Sequence, residues 1–261
     1  MYVIKASGER EEFDKEKIIR TIKRAGLSER NARSIANMIE KKTRDGDTTN
    51  KIYHMIIKEL DKTDEPVSII YRLREAITAL DPKIFERYTK KIFEAYGYQC
   101  RLDEIVDGKL VGHEIDVIAR KEKTIMVECK HHTNPHRFAA LGVIMSLWAK
   151  LDDIQKGYPK TTKYKFDSAY LVTNTKLSEH AIRYAKGKNI SYSAWKSGSE
   201  QSLDGMVSKK KLYPITILKI NNKEKATLLR NDIITIQDLL TAPSLPIKNL
   251  DSLRQAHELM S

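Results

Sequence analysis

The chain has 261 residues, 47 of them Lys or Arg and 35 Asp or Glu, giving a formal net charge of +12. Its 41% hydrophobic content is enough for a buried core divided among two or three domains, which excludes a disordered chain. The basic balance suggests an anionic partner, nucleic acid first and a membrane surface second. The two cysteines, Cys100 and Cys129, have no CxxC or zinc-type spacing and fit a reducing cytoplasm.

The opening "MYVIKASGEREEFDKEK" is charged from the outset and does not read as a signal peptide. Its apolar ends around Ser7-Gly8 predict a short hairpin. "DKEKIIRTIKRAGL" spaces Ile18, Ile19, Ile22, Ala25 and Leu27 along one helical face, with Asp14 as N-cap. Helices follow from Ser28, after Thr48-Thr49 and after Pro66, and Asp81-Pro82 breaks the pattern.

From Pro82 the character changes. "PKIFERYTKKIFEAYGY" predicts an amphipathic helix closed by Gly97 as C′ residue. Three strands are expected in "YQCRLDEIV", "GHEIDVIARK" and "KTIMVECKHH", then a helix over 136–153. The apolar run "FAALGVIMSLWA" inside that helix is short of the roughly 20 residues that span a bilayer and reads as packing. A strand over 167–174, a helix over 178–187 and a strand near "ISYSAW" complete an α/β layer pattern. Residues 196–211 read as part linker, part short helix, and a helical tail follows "LYPITIL".

The chemistry is concentrated in the second and third strands. Side chains alternate faces, so Glu128 and Lys130 share one side of "TIMVECK", and Glu114 and Asp116 share one side of "GHEIDVIA". Pairing through "RKEK" would bring Asp116 to Glu128 and Lys130. Clustered carboxylates with open positions suit Mg²⁺ or Mn²⁺. A neighbouring lysine can orient a water or neutralise charge on a phosphate. Together these are the needs of phosphodiester hydrolysis; the same pattern also occurs on solvated strand faces.

On "GHEIDVIA", "IMVECKHH" and "IFERYTKKIFEAYGY" the chain resembles the PD-(D/E)xK nuclease superfamily, specifically the Mrr-like branch of type IV restriction endonucleases. The resemblance implies a restriction-endonuclease-like mixed sheet flanked by helices over 82–197. It implies Asp116 and Glu128 as metal ligands with the Cys129 carbonyl, Lys130 as catalytic lysine, and Glu86 as the helix carboxylate completing the site. The superfamily's proline before the first acid is replaced by Ile115, and Glu128 stands where Mrr-like members often carry glutamine. His113, His131 and His132 flank this site; catalytic, structural and surface roles are all open for them.

"VIKASGEREEFDKEKII" and "TTNKIYHMIIKEL" are similar to the ATP-cone domain, a regulatory nucleotide-binding module. The similarity assigns residues 1–81 to a mostly helical cone. It points to Val3, Lys5, Gly8, Glu11, Phe13, Lys17, Ile18, Thr49 and Tyr53 as contacts for ATP or dATP. The arginine usual after Lys5 is Ala6 here. Without a GxxxxGK[ST] loop, the nucleotide would regulate and not fuel. Residues 198–261 combine a linker with a small helical segment that faintly resembles helix-hairpin-helix DNA-binding modules, with Asn231-Asp232 where the hairpin glycine would stand.

The fold class expected is thus multi-domain α/β (α+β). The function expected is a Mg²⁺-dependent DNA endonuclease of restriction or defence type, cytoplasmic and without a membrane partner. A homodimer would present two sites with two-fold symmetry to the two strands. A nucleotide-responsive DNA-binding regulator with a vestigial site, and a structure-selective repair nuclease, are the alternatives.

Overall fold

The computed structural model describes residues 1–260 apart from 6, 64–66, 69–70, 136 and 243–249. The expected helix start at Pro66, the Ala6 departure and the tail segment "LPIKN" fall outside the described residues. The chain divides into two compact units, Met1–Leu73 and Arg74–Met260.

In the first unit, strands β1 (Tyr2–Ile4) and β2 (Arg10–Glu12) pair antiparallel with Val3 opposite Glu11. Gly8, at φ 86°, supplies the left-handed turn residue between them. Helices α1 (Lys15–Arg24), α2 (Glu29–Lys42) and α3 (Thr49–Thr63) follow. Each starts on a side chain that accepts an otherwise unpaired amide: Asp14 from Lys17, Ser28 from Asn31 and Thr48 from Lys51. The apolar stripe expected on α1 is the core: Ile18, Ile19, Ile22, Ala25 and Leu27 are buried with Ile35, Ile39 and Ile56.

The second unit begins in the short helix α4 (Leu73–Thr78) and continues into α5 (Pro82–Ala95). Asp81 caps α5 through the Ile84 amide, Pro82 occupies its first turn, and Gly97 (φ 88°) closes it. Strands β3 (Gln99–Asp107), β4 (Gly112–Arg120) and β5 (Thr124–Lys130) form an antiparallel meander. β7 (Ser168–Thr173) adds parallel to β5, and β9 (Ser191–Ala194) parallel to β7. β10 (Ser197–Gly198) completes a six-stranded mixed sheet in the order β10-β9-β7-β5-β4-β3. The architecture is mixed α/β, as the layer pattern implies. The helix expected over 136–153 differs: Phe138–Ala139 is a short strand, β6, paired with β8 (Lys176–Leu177), and the helix, α6, spans Leu141–Gly157. An unbroken apolar run carries no period to mark where the strand stops and the helix starts.

α6 and α7 (Glu179–Gly187) cover one layer of the sheet. Ile144, Leu147, Leu151 and Ile154 pack with Ile118, Met126, Ala169 and Leu171. α5 buries Phe85, Tyr88, Ile92 and Phe93. The C-terminal helices are α8 (Leu203–Lys209), α9 (Asn222–Arg230), α10 (Ile236–Thr241) and α11 (Leu250–Met260). They grip α5. The Tyr88 hydroxyl donates to the Leu212 carbonyl at 2.7 Å, Arg87 pairs with Asp232 at 2.5 Å, and Lys91 reaches Asp232 and Asp238 at 3.2 and 3.1 Å. Asp232 has the left-handed φ of 59° that a hairpin glycine would supply, but the amides of Asp232 and Ile233 are spent on Leu229 and Leu228. The turn faces α5 and leaves neither of those amides for a phosphate. Among the described residues no helix is long and apolar enough to cross a membrane.

The tip of the β3–β4 hairpin is fixed to α6. Asp153 accepts from the Leu110 and Val111 amides and from His113 Nε2 at 2.8 Å, and Thr161 donates to the Gly108 carbonyl. A Cβ on Gly157 would sit 2.8 Å from the Gly108 carbonyl carbon. Gly157→Ala, which elsewhere in a helix would stabilise by about 1 kcal/mol, is therefore expected to cost about 1–3 kcal/mol in urea denaturation.

Candidate active site

The β4–β5 ladder runs in register from Arg120–Thr124 to Val117–Val127 and stops where Asp116 and Glu128 would be the next pair. On the other side of β4, paired residues resume at Glu104–Ile115 after Leu102–Val117, skipping Asp103 and Asp116. Asp103 has φ 51°. Strict alternation would separate Ile115 from Ile118, yet both join one core cluster, so the facing of β4 shifts around Asp116. The Asp116 carboxylate then takes the Cys129 amide at 2.7 Å, substituting for a ladder bond.

Glu86, on the first turns of α5, is 8% exposed. Burial pushes its carboxyl up to about 7, with Asp116 adding repulsion against the pull of Lys83. Burial likewise raises Asp116 to about 6, opposed by the Cys129 amide and reinforced by Glu128. The three carboxylates therefore interact in a partly desolvated place. Two lysines absent from the expected site restrain them. Lys83 reaches Glu86 at 3.0 Å, Asp103 at 2.9 Å and Glu114 at 3.3 Å, which raises its own pKa, Asp103 contributing most. Lys150 reaches Glu128 at 2.9 Å. Lys83 was legible as an i,i+3 partner of Glu86. Lys150 had a weaker signal, the first charge after the apolar run.

Lys130 follows Glu128 by two positions, at the end of β5; it is exposed and makes no ion pair among the described residues. Also among the described residues, no group of three or more His, Cys, Asp or Glu side chains is arranged to hold a metal. The flanking histidines have structural partners. His113 is bound to Asp153. His131 packs its ring 5.3 Å from Phe85, with Nε2 3.3 Å from the Ile77 carbonyl. His132 is held through its backbone by Asn174, which accepts from its amide at 2.9 Å and donates to its carbonyl at 2.8 Å.

In the first unit, Lys17 pairs with Glu11 at 2.9 Å, and Lys5 lies 3.6 Å from Glu9 and 4.0 Å from Glu11. Val3 and Ile18 are core residues, with Phe13 packed against them. Ile4 bridges Thr48, which brings the start of α3, with Thr49, beside the hairpin. Tyr53, one turn on, stacks on Tyr71 with ring centroids 5.2 Å apart.

Residues 1–92 match the ATP cone domain family and residues 77–198 the restriction endonuclease family Mrr_cat. The chain carries an ATP cone and an Mrr-type restriction endonuclease domain. Residues 213–252 match the AF1548-like C-terminal family. An uncharacterized protein of Archaeoglobus fulgidus is 29% identical over 173 residues, covering 66% of this chain and 95% of that protein. A crystal structure described as protein of unknown function AF1548 is similar at 26% identity and a TM-score of 0.56, covering 69% of this chain and 97% of that one.

The raised carboxyls of the nuclease domain have a cost with a definite sign. A folded state that holds Glu86 near 7 binds a proton that the unfolded chain, at about 4.5, has released. Stability is therefore lost as pH rises from about 4.5 through 7. Glu86→Gln removes that penalty. It is expected to stabilise the metal-free protein by about 1–3 kcal/mol at pH 8, and by much less at pH 5, in urea titrations with EDTA.

Proposed function

We propose that the nuclease domain hydrolyses DNA phosphodiesters with a divalent cation held by Asp116 and Glu128, and that the cone regulates it by binding ATP or dATP. The observation that carries this reading is the fork between β4 and β5, where Asp116 takes the Cys129 amide and feels the charge of Glu128, with the exposed Lys130 two positions further along β5.

The donors in this reading would be the Asp116 and Glu128 oxygens with the Cys129 carbonyl, a hard set that suits Mg²⁺ or Mn²⁺. Mg²⁺ keeps several waters and is commonly held by one or two carboxylates, so a pair without a third acidic partner fits it. Burial first, and Glu128 second, raise the pKa of Asp116 to about 6, so a cation bound there would favour its ionised form. A bound cation would supply an activated water and Lewis-acid polarisation of the phosphate. Lys130 is free to orient the attacking water or to neutralise the phosphate oxygens. Glu86 keeps the region acidic and, near neutral pH, can take up or release a proton. Lys150 holds Glu128 in place by an ion pair.

In the cone, Lys5 and Lys17 would turn from Glu9 and Glu11 to the phosphates of the nucleotide, with Tyr53 and Thr49 at the start of α3 nearby. Restriction of foreign DNA in the cytoplasm is the role consistent with the domain pair, and a homodimer would present one site to each strand.

Supercoiled plasmid incubated with Mg²⁺ is expected to be cut, and EDTA, Asp116→Ala or Lys130→Ala to lower the rate at least about 100-fold. Unchanged cleavage by both variants would refute the site. A readout independent of activity is the melting temperature at pH 8. Mg²⁺ is expected to raise it for the native chain and for Lys130→Ala, and to leave it unmoved for Asp116→Asn.

A further inference from the structure

At the end of β3–β5 away from the carboxylates, a cavity of about 470 Å³ opens beside the sheet. The register places Arg101, Ile118 and Arg120 on one face: Arg101 pairs with Ile118, and Arg120 with both Gln99 and Thr124. The loop after α6 closes the other side with Lys163, Tyr164 and Lys165. Four cations thus line the cavity, and none of its lining residues is acidic. Arg120, Lys163 and Lys165 form no ion pair among the described residues, and Arg101 is 4.0 Å from its one carboxylate neighbour, Glu104. Unneutralised cations gathered around a concave surface favour an anion strongly.

The pocket is also preformed and carries an aromatic wall. Tyr164 stacks on the buried Phe166 with centroids 5.9 Å apart and planes at 21°. The Phe166 carbonyl is held by Gln155 at 2.9 Å, the Tyr164 amide by Thr162 at 3.1 Å, and Asp167 brackets Thr124 by two backbone-linked hydrogen bonds. Arg101 lies 3.5 Å from the Tyr164 hydroxyl. Ile118, 4% exposed, provides an apolar floor. The volume is that of a site for a small organic ligand. Phosphate-reading cations around a fixed aromatic ring match the two halves of a nucleotide, charge and planar base.

We infer that this pocket binds a nucleotide, its phosphate on Arg101, Arg120 and Lys165 and its base against Tyr164. Two sources offer that chemistry, a free nucleotide and one unit of a nucleic-acid strand. The second deepens the nuclease reading and rests on it. Thr124 and Glu128 are four residues apart on β5, about 13 Å, which a DNA strand covers in about four nucleotides.

The test is fluorescence anisotropy on the full chain in EDTA, using a labelled single-stranded 12-mer, with dAMP and inorganic phosphate as competitors. Arg101→Glu with Lys165→Glu is expected to weaken binding of the oligonucleotide about tenfold or more and to lower the slope of log K against log salt by 1–2. A control of equal charge change on exposed residues elsewhere, Lys209→Glu with Lys223→Glu, is expected to have a much smaller effect. Tyr164→Ala is expected to weaken the 12-mer and dAMP but not phosphate. If dAMP binds the native chain and loses affinity in the pocket variant while the 12-mer does not, the source is a free nucleotide. Equal losses in the pocket and control variants, or no loss of any probe in the pocket variant, would overturn the site. Because EDTA suppresses hydrolysis, a chain that binds through the pocket yet never cleaves with Mg²⁺ would remove the nuclease reading and keep this one.

Discussion

The hydrogen bond from the Cys129 amide to the Asp116 carboxylate is the constraint around which the nuclease domain is arranged. A β-ladder normally consumes such an amide with a neighbouring carbonyl. Here a side chain does it, so β4 and β5 separate while the amide remains satisfied. The separation leaves Asp116 half-buried, where it interacts electrostatically with Glu86 on α5 and with Glu128 on β5. A carboxylate in a regular interior strand would have no such outlet and would lose its charge to desolvation.

Around this fork the carboxylates outnumber the lysines paired with them, and those lysines are long and solvated, not buried. Lys83 is mostly exposed, and Lys150 partly so. Such pairs are weak and exchange easily, because the ammonium gives up little when it returns to water. The carboxylates are therefore kept in position without being locked. The cone repeats the arrangement, with Lys5 and Lys17 resting on glutamates at the surface.

Much of this was legible in the sequence because it is local. Gly8 and Gly97 occupy the left-handed turns, Asp14, Ser28 and Asp81 cap their helices, and the three strands lie where alternation put them. The meeting of Asp116 with Glu128 follows from a short hairpin and needs no long-range information. What was not legible depends on elements distant in sequence. Lys150 meets Glu128 only because α6 crosses the sheet. The shifted facing of β4 comes from an irregularity shared with Asp103, which no period in β4 alone records. His113 finds Asp153 forty residues away. The tail near Asp232 looks from sequence like a separate hairpin element, and its carboxylate is instead committed to α5.

That commitment bears on how the protein could change over evolutionary time. α5 presents Glu86 on one side and is held on the other by Leu212, Asp232 and Asp238. The segment after the last strand of the sheet is thus a splint for the helix that carries Glu86. A gene rearrangement that swapped the tail for another, or shuffled the sheet alone into a new partner, would leave Arg87 and Lys91 as uncompensated cations on a bared apolar flank. The stretch from α5 to α11 is expected to be inherited as one piece, and the tail's divergence to be limited by the surface of α5 it must fit.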